Sequence, residues 1–579
     1  MNLNSLVPAL DWAKTYQKGF FRRDLLAGFT VAIMVIPQGM AYALLAGLPP
    51  IYGLYSSIVP LILYVVFGTS RQLSVGPVAI VSLLVLASLS KIAPPQSPEF
   101  ISLAITTAFL AGLIQVALGS LRLGFLIEFL SNPVLVGFTA AAALIIAFSQ
   151  IKFLLGITVE RVSQLHVVLI EIVQNLGNIH VLTMMVGLGS LLTMILVRKF
   201  SRKIPYALVA VIVSTISVYI FRLDQAGVQV VGDVPKGLPA FAVPNMSLST
   251  LELLLPLALT ICLISFIESL AIAKNLEKRD KTYRVVPDQE LIALGISKIG
   301  GAFFQAFPTT GSFTRSAINF FSGAKTGVSS WIAALVVAFS LLFLTPLFYF
   351  IPNAVLAAIV IMAVSNLIDI KEIKTLWNQD RKDFYSLLAT FLITLFVGVQ
   401  QGVLAGVIFS LAFIIYRSTH PHVAILGQLK GSTDFRNLSR FPEANTWQDI
   451  LILRFDAQLY FGNSKYFEDL IHRLMTEKGK TLKYLVVDGT AITDIDSTGF
   501  HMIHHLIEEL CQEGIELHLA GFPGPARDKI YKTGTLEKLL GGRMHFNVND
   551  AIKYIKEGKA IPSLLTDEIT SSNQNHDNH

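Results

Sequence analysis

The sequence predicts a polytopic α-helical membrane protein that carries a small cytoplasmic α/β domain at its C-terminal end. Two observations indicate the membrane part: of the 579 residues, 53% are hydrophobic and only 15% are charged, and the charged residues leave long gaps. Soluble domains carry roughly 25% charged residues, so a soluble globular enzyme is excluded for most of the chain. A third observation indicates the α/β domain, because charged residues return at short intervals after Tyr416.

Runs without Asp, Glu, Lys or Arg define the membrane segments. Each of the runs 25–70, 326–368 and 384–416 can hold two helices, because a helix needs about 20 apolar residues to cross a bilayer. Single segments are predicted at the charge-free runs 72–90, 100–121, 129–151, 181–197, 205–221 and 253–267. Two weaker segments, which are not free of charged residues, are predicted at 290–305 and at 312–324, the second with Arg315 inside it. These runs together predict about fourteen segments in a transmembrane domain at 24–416.

The basic residues predict how these segments are oriented. If residues 1–23 form a cytoplasmic N-terminus, the loops on that side hold sixteen Lys or Arg residues and the opposite loops hold five. Cytoplasmic loops of membrane proteins carry such an excess, so both termini are expected in the cytoplasm. The same rule accounts for the net charge of +6 without nucleic-acid binding.

The C-terminal part alternates between strand and helix patterns. Residues 417–447 are interpreted as a polar linker. In 448–558, apolar strands at 450–455, 482–489 and 515–521 alternate with amphipathic helices at 466–475, 499–511 and 551–555, which is typical of an α/β domain. The polar tail, 559–579, is expected to be disordered.

Two membrane segments are interrupted by residues that break helices. In the third segment, Gly76, Pro77 and Val78 form the break, and a proline there can start a helix but not continue one. In the tenth segment, 308–316 contains Pro, Gly, several hydroxyls and Arg315. The breaks are seven segments apart, an odd number, which predicts two halves of opposite orientation with a binding site between them.

The paired breaks favour an anion as the ligand. Helix N-termini present free N–H groups and the positive end of the helix dipole, which bind anions, and Arg315 adds a full positive charge. A Gly-Pro pair in a membrane helix can also be a simple kink, and Arg315 can be a structural residue bonded to carbonyls; both alternatives stay open.

Glu268 is, like Arg315, an ionisable residue whose burial in the membrane costs free energy, because it lies in an otherwise charge-free eighth segment. An ionisable side chain at this depth is a candidate proton carrier, sodium ligand or counter-charge to Arg315. The alternative is a buried carboxyl group capped by neighbouring donors. Gln38 and Tyr42, at a polar interruption of the first segment, are candidate cavity-lining residues.

Three segments carry a family resemblance: PQGMAYALLAGLPPIYGLYSS (37–57), FGTSRQLSVGPVAIVSLL (67–84) and FPTTGSFTRSAINFFSGAKT (307–326). They resemble the SulP sulfate permeases, bacterial relatives of the animal solute-carrier anion exchangers, and the C-terminal part resembles a STAS domain. The similarity covers residues 10–558. It implies fourteen segments in two inverted seven-segment repeats, divided into a core and a gate, with an anion between half-helices three and ten. It also implies a homodimer in a bacterial inner membrane.

The resemblance also assigns residues. The family's anion site falls on Gly76, Pro77 and Val78 in segment three and on Ser312, Phe313, Thr314 and Arg315 in segment ten. Glu268 matches an acidic position that some bicarbonate carriers use, as Asp, to bind sodium. Two departures are Gln38, where some proton-coupled relatives have Glu, and Lys298, where Asn is common and which we interpret as a cytoplasm-facing charge.

In the STAS-like domain, the loop at 494–499 corresponds to one that holds a phosphorylated hydroxyl in anti-sigma antagonists. The resemblance therefore makes Ser497 or Thr498 a candidate phosphoacceptor. The alternative is that Asp496 and Ser497 simply cap the following helix.

The expected function is secondary-active transport of an inorganic anion, with sulfate as the first choice and protons or sodium as the coupling ion. Sodium-coupled bicarbonate transport, proton-coupled dicarboxylate transport and a membrane anion sensor that signals through the STAS-like domain are alternatives. A nucleobase permease is disfavoured by Arg315. No Walker-type loop occurs, which argues against an ATP-driven pump. We expect no enzyme activity, cofactor or structural metal beyond a possible sodium ion at Glu268.

Overall fold

The computed structural model describes residues 7–125, 131–157, 165–200, 205–532 and 540–558. The chain divides into two compact units, at 1–411 and 412–579, which are described separately. The expected disordered tail, 559–579, lies outside the described residues.

The first unit is helical. Its described helices, with the last one reaching into the second unit, are α1 Ala9–Lys14, α2 Lys18–Leu45, α3 Ile51–Tyr55, α4 Val59–Phe67, α5 Ala79–Leu89, α6 Pro98–Ser120, α7 Asn132–Leu155, α8 Leu165–Gln174, α9 Val181–Phe200, α10 Tyr206–Phe221, α11 Leu248–Arg279, α12 Pro287–Phe303, α13 Phe313–Phe321, α14 Val328–Phe343, α15 Thr345–Phe348, α16 Asn353–Val364, α17 Ile370–Gln379, α18 Arg381–Phe396 and α19 Val399–Thr419.

Each of the fourteen predicted membrane segments coincides with a helix or a pair of short helices. Seven of the described helical stretches are long and apolar enough to span a bilayer, and shorter apolar helices occur at Ile51–Phe67, Ala79–Leu89, Tyr206–Phe221 and Val328–Phe343. The interrupted segments three and ten are α5, of 11 residues, and α13, of 9 residues. At 1.5 Å per residue these helices span about 16 and 14 Å, roughly half a hydrocarbon core of about 30 Å.

The two breaks that shorten these helices meet each other. The extended residues before them form two short strands, β1 Val75–Gly76 and β2 Thr310–Gly311. The strands pair antiparallel, with Val75 opposite Gly311 and Gly76 opposite Thr310. Ser312 extends the pairing, because its N–H donates to the carbonyl oxygen of Ser74 at 3.0 Å.

Helices α6 and α12 cross at a pair of glycines. A Cβ atom built on Gly112 would lie 2.7 Å from the carbonyl oxygen of Gly295, and one on Gly295 would lie 2.7 Å from that of Gly112. Only glycine fits at both positions. This close approach lets side chains one turn further along the two helices meet in the interior.

The second unit contains a six-stranded sheet and packs helices on both of its faces. The strands are β3 Val423–Gln428, β4 Phe435–Asn437, β5 Ile450–Phe455, β6 Tyr484–Asp488, β7 Glu516–Ala520 and β8 Met544–His545, and the helices are α20 Ser464–Lys478, α21 Ser497–Gln512, α22 Gly524–Lys532 and α23 Val548–Glu557. The strand order is β4-β3-β5-β6-β7-β8. Strands β5 to β8 are parallel, whereas β3 is antiparallel to both of its neighbours.

The structure corrects the interpretation of 417–447 as a linker. The segment contains the end of α19 and both β3 and β4, so a large part of it belongs to the sheet. Apolar and polar residues do not alternate along the first part of β3, because Ala424 and Leu426 face one hydrophobic core while Val423 and Ile425 face the other. A strand covered on both faces lacks the period-2 pattern that identifies a half-exposed strand.

Candidate anion-binding site

The N-termini of two half-helices frame the site. Helix α5 begins after Val78, which is extended, and α13 begins after Ser312, whose Oγ accepts a long hydrogen bond of 3.5 Å from the N–H of Arg315. The first N–H groups of a helix have no partner within the helix. The pairing of β1 with β2 therefore brings together the two sets of residues that the sequence singled out.

Arg315 occupies the space between these ends. It is 1% exposed, and its Nη1 donates to the carbonyl oxygen of Pro77 at 2.8 Å. Its Nε and Nη2 have no hydrogen-bond partner among the residues that the structure describes. A Cβ atom at Gly76 would lie 3.1 Å from Nη2, so the missing side chain of Gly76 leaves room beside a free donor.

A hydroxyl group and a main-chain carbonyl of α11 hold β2 in place. Ser269 Oγ accepts from the N–H of Gly311 at 2.8 Å and lies 2.7 Å from Thr310 Oγ1. Thr310 Oγ1 donates to the carbonyl oxygen of Ser265 at 2.6 Å. Sequence reasoning missed both serines as site residues, although their i, i+4 spacing on either side of Glu268 places them on one helix face.

Glu268 lies on the same helix as these serines. Its Oε2 is buried and accepts no hydrogen bond from any described residue. Glu268 interacts electrostatically with Arg315 without forming one of the described ion pairs. Tyr42, which is 5% exposed on α2, interacts with both charges.

Two other buried carboxylates accept hydrogen bonds from several donors and are therefore capped structural groups. Glu290 is fully buried and accepts from Tyr64 OH at 2.7 Å and from Thr69 N at 2.7 Å, among other donors. Asp24 is fully buried and accepts from Lys325 N and Thr326 Oγ1, each at 2.6 Å. The capped-carboxyl alternative describes these two residues, and Glu268 differs from both because its Oε2 has no partner among the residues described.

The remaining predicted residues of the site differ in how far their side chains are exposed. Gln38 is 1% exposed and its Oε1 has no partner among the described residues, which suits a buried polar cavity. Ser312 is buried, Thr314 is half-buried and Phe313 is 57% exposed. The expected contribution of Phe313 is therefore restricted to its backbone N–H, because its ring is turned outward from the buried face of α13.

Lys298 is not the cytoplasm-facing charge that the sequence suggested. It is 1% exposed, and its Nζ donates to Gln115 Oε1 at 2.9 Å. Gln115 Nε2 in turn donates to Ser265 Oγ and to the carbonyl oxygen of Cys262, each at 3.0 Å. Lys298 is thus linked through Gln115 and Ser265 to Thr310 of β2. The Gly112–Gly295 crossing makes this contact possible, and periodicity alone does not reveal it.

In the second unit, Asp496 caps α21. Its Oδ1 accepts from the N–H of Gly499 at 2.8 Å, and its Oδ2 accepts from the N–H of Phe461 at 2.9 Å. Ser497 and Thr498 are exposed at the first turn. The capping alternative is confirmed for Asp496, and phosphorylation of either hydroxyl stays a prediction.

Sequence comparison extends these observations. The profile described as "Sulfate permease family" matches residues 21–390, and a STAS domain profile matches 441–551. The chain belongs to the sulfate permease family. It is 40% identical to the probable sulfate transporter 4.2 of Arabidopsis thaliana over 95% of this chain and 84% of that protein. It is 36% identical to the high affinity sulfate transporter 2 of Stylosanthes hamata over 95% of this chain and 86% of that protein.

Solved structures show the same fold. The murine Solute Carrier 26 family member A9 anion transporter, in the inward-facing state, superposes with a TM-score of 0.87 at 26% identity, covering 95% of this chain and 94% of that chain. The transmembrane domain of the cyanobacterium bicarbonate transporter BicA superposes with a TM-score of 0.60 at 22% identity, covering 68% of this chain and 98% of that chain. The latter likeness concerns the fold alone.

These comparisons settle several expectations. The family resemblance and the fold class, a polytopic helical membrane protein with a C-terminal STAS domain, are confirmed. The protein is an anion transporter of a permease family and not an enzyme. The expectation of a bacterial inner membrane is contradicted, because the sulfate transporters named above are plant proteins.

Proposed function

We propose that this permease carries sulfate by secondary active transport, with the anion held between α5 and α13 and a coupling proton carried by Glu268. One observation carries the proposal: the buried guanidinium of Arg315 keeps two nitrogens without a hydrogen-bond partner in the described part of the chain, at the place where two half-helices begin. Burying such donors without partners costs free energy, so a ligand that accepts from them is expected. The relatives named as sulfate transporters support sulfate as that ligand.

The charge of the site suits a dianion. A helix N-terminus is equivalent to roughly +0.5 elementary charge, so the two half-helices and Arg315 together supply about +2. Sulfate would neutralise this charge, whereas bicarbonate would leave about half of it unbalanced. The tetrahedral oxygens of sulfate can also accept from N–H groups and the guanidinium on different sides at once.

Glu268 can couple the binding of a proton to the binding of sulfate. When it is ionised, its negative charge attracts Arg315 and repels the anion; when it is protonated, Arg315 is released for the anion. Proton binding and sulfate binding would then favour each other, and such coupling is reciprocal. A sodium ion bound at Glu268 would neutralise the same charge, so the two coupling ions must be distinguished by experiment.

The test is sulfate uptake by the full chain in proteoliposomes, under an imposed inward gradient of either protons or sodium. We expect the proton gradient to drive accumulation. Glu268→Gln should abolish accumulation while leaving sulfate counterflow, because the neutral amide mimics the protonated state. Glu252→Gln is the matched control, since Glu252 is an exposed carboxylate on the same helix.

Three results would overturn parts of the proposal. Unchanged proton-driven accumulation by Glu268→Gln would leave that residue a structural one. Accumulation that follows only the sodium gradient would replace the proton by sodium. Competition by bicarbonate or a dicarboxylate that exceeds competition by unlabelled sulfate would replace the substrate.

We also infer that the membrane part is an inverted repeat and that the protein is a homodimer. The inverted repeat is supported by two half-helices seven segments apart whose preceding strands pair antiparallel. The homodimer rests on the family resemblance, and light scattering of the detergent-solubilised protein, corrected for detergent mass, tests it directly. A mass of one chain would reject the homodimer.

A further inference from the structure

Two helices of the STAS domain bring four metal-ligating side chains together. Glu468 and His472 lie four residues apart on α20, and His505 and Glu509 lie four residues apart on α21. An i, i+4 spacing places both members of each pair on one helix face. Because α20 and α21 cover the same hydrophobic cluster, the two pairs face each other at the surface of the domain.

The distances between these side chains match a small coordination sphere. His472 Nε2 lies 3.5 Å from Glu509 Oε2, and His505 Nδ1 lies 3.8 Å from Glu468 Oε1 and 3.9 Å from Glu509 Oε2. Ligand atoms of Glu468, His472 and Glu509 all fall within 4.8 Å of one another. His505 lies outside this group of three and can join it by rotation of its side chain, which is 70% exposed. Ligands at about 2.0–2.2 Å from a tetrahedral zinc ion are separated by roughly 3.4 Å, so small rotamer changes suffice.

We propose that Glu468, His472, His505 and Glu509 form a Zn²⁺ site that clamps α20 to α21. Two imidazoles and two carboxylates are ligands that zinc accepts, and the two carboxylates balance its charge. The side chains of His472 and Glu509 are 36% and 33% exposed, which leaves an entry path for the ion. The site is separate from the proposed anion site and does not depend on it.

Lys465 competes with the ion. Its Nζ lies 3.2 Å from Glu468 Oε2 and 2.9 Å from Asp469 Oδ1. The Glu468 oxygen that faces His505 is Oε1, so the ammonium holds the other oxygen. Lys465 is 76% exposed and can turn away, and its removal should strengthen zinc binding by reducing local positive charge.

The same helix offers a matched control. His504 Nδ1 lies 3.8 Å from Glu508 Oε1, also at i, i+4, but none of the ion pairs among the described residues joins either side chain to α20, whereas His472 and His505 each pair with a carboxylate of the opposite helix. Two ligands alone bind zinc weakly. His504→Ala therefore removes a histidine and an i, i+4 pair from α21 without touching the proposed site.

The experiment measures Zn²⁺ affinity of the full chain in detergent, without an added histidine tag, by competition with a chromogenic chelator. We expect His472→Ala, His505→Ala and the isosteric Glu509→Gln each to weaken binding at least about tenfold, His504→Ala to leave it unchanged, and Lys465→Ala to strengthen it. Visible absorption of bound Co²⁺ should report tetrahedral coordination in the wild type and lose it in the first three variants.

Equal zinc affinity in wild type, His472→Ala and His505→Ala would overturn the proposal, as would an equal loss in His504→Ala. Histidines outside the described residues, His576 and His579, would produce the first of these results if they were the real ligands. Circular dichroism of each variant separates loss of ligands from loss of folding, and Glu509→Gln, which keeps the side-chain shape, provides the second line of evidence.

Discussion

Replacing Arg315 by glutamine tests the proposed anion site most directly. The change removes the buried positive charge and the two nitrogens, Nε and Nη2, that have no partner among the described residues. A hydrogen bond to a charged group contributes about 1.5–3 kcal/mol, so two of them amount to about 3–6 kcal/mol. That corresponds to a loss of roughly 10²- to 10⁴-fold in sulfate affinity.

Arg315→Lys provides an intermediate case. The lysine keeps the charge, but a single ammonium cannot both reach the Pro77 carbonyl, as Nη1 does at 2.8 Å, and replace two directed donors. We expect its affinity to lie between those of the wild type and Arg315→Gln. Arg284→Gln, at an exposed arginine, controls for the overall loss of one positive charge.

The assay is equilibrium binding of radiolabelled sulfate to the purified full chain, with thermal unfolding as a check on folding. The expected order of sulfate Kd is wild type and Arg284→Gln, then Arg315→Lys, then Arg315→Gln. A folded Arg315→Gln that binds sulfate within about threefold of the wild type would refute the reasoning. Arg315 would then be the structural residue that the sequence left open.

Three further predictions concern single residues. Gly76→Ala should weaken sulfate binding with little loss of stability, because its Cβ would stand 3.1 Å from Arg315 Nη2 and push only the end of a flexible side chain; affinity and thermal unfolding check both parts. Lys298→Met should retain the thermal unfolding midpoint yet slow sulfate uptake, because Gln115 loses the ammonium that orients it; unchanged uptake would make Lys298 a tolerated charge only. Burial, together with His545 and Arg543, lowers the pKa of His518 to about 3. Since the unfolded side chain titrates near 6.5 and binds more protons below that pH, the free energy of unfolding of the STAS domain should fall by about 1.6 kcal/mol between pH 6.5 and pH 5. His518→Phe should remove this loss, as measured by calorimetric unfolding of the full chain at both pH values.

Much of the membrane part was predictable because the bilayer imposes a simple rule. Apolar runs must be about 20 residues long, so charge-free stretches locate helices, and a helix-breaking Gly76-Pro77 or Pro308–Gly311 inside such a run stands out. The positions of α5 and α13 after these breaks follow from local chemistry. The seven-segment spacing could predict that the N-termini of α5 and α13 lie close together. It could not predict the register in which β1 pairs with β2.

The less predictable features depend on tertiary contacts. Lys298 lies in a weak predicted segment and has the appearance of a cytoplasm-facing charge in sequence, and only the glycine crossing of α6 and α12 places it against Gln115. Glu290 and Glu268 are both acidic residues in apolar surroundings, yet one is saturated with donors and the other is not.

The short β1–β2 ladder also limits how this permease can diversify. A ladder of two residues per strand is not stable by itself and persists because the helices on either side hold it in register. Deleting or inserting one residue in either break would shift the register of the ladder by one residue, turn the side chains of that strand to the opposite face and move Gly76 away from Arg315. New substrate preferences should therefore arise by substitution within breaks of constant length, and an alignment of permeases with different substrates should contain no gaps at 74–78 or 309–315.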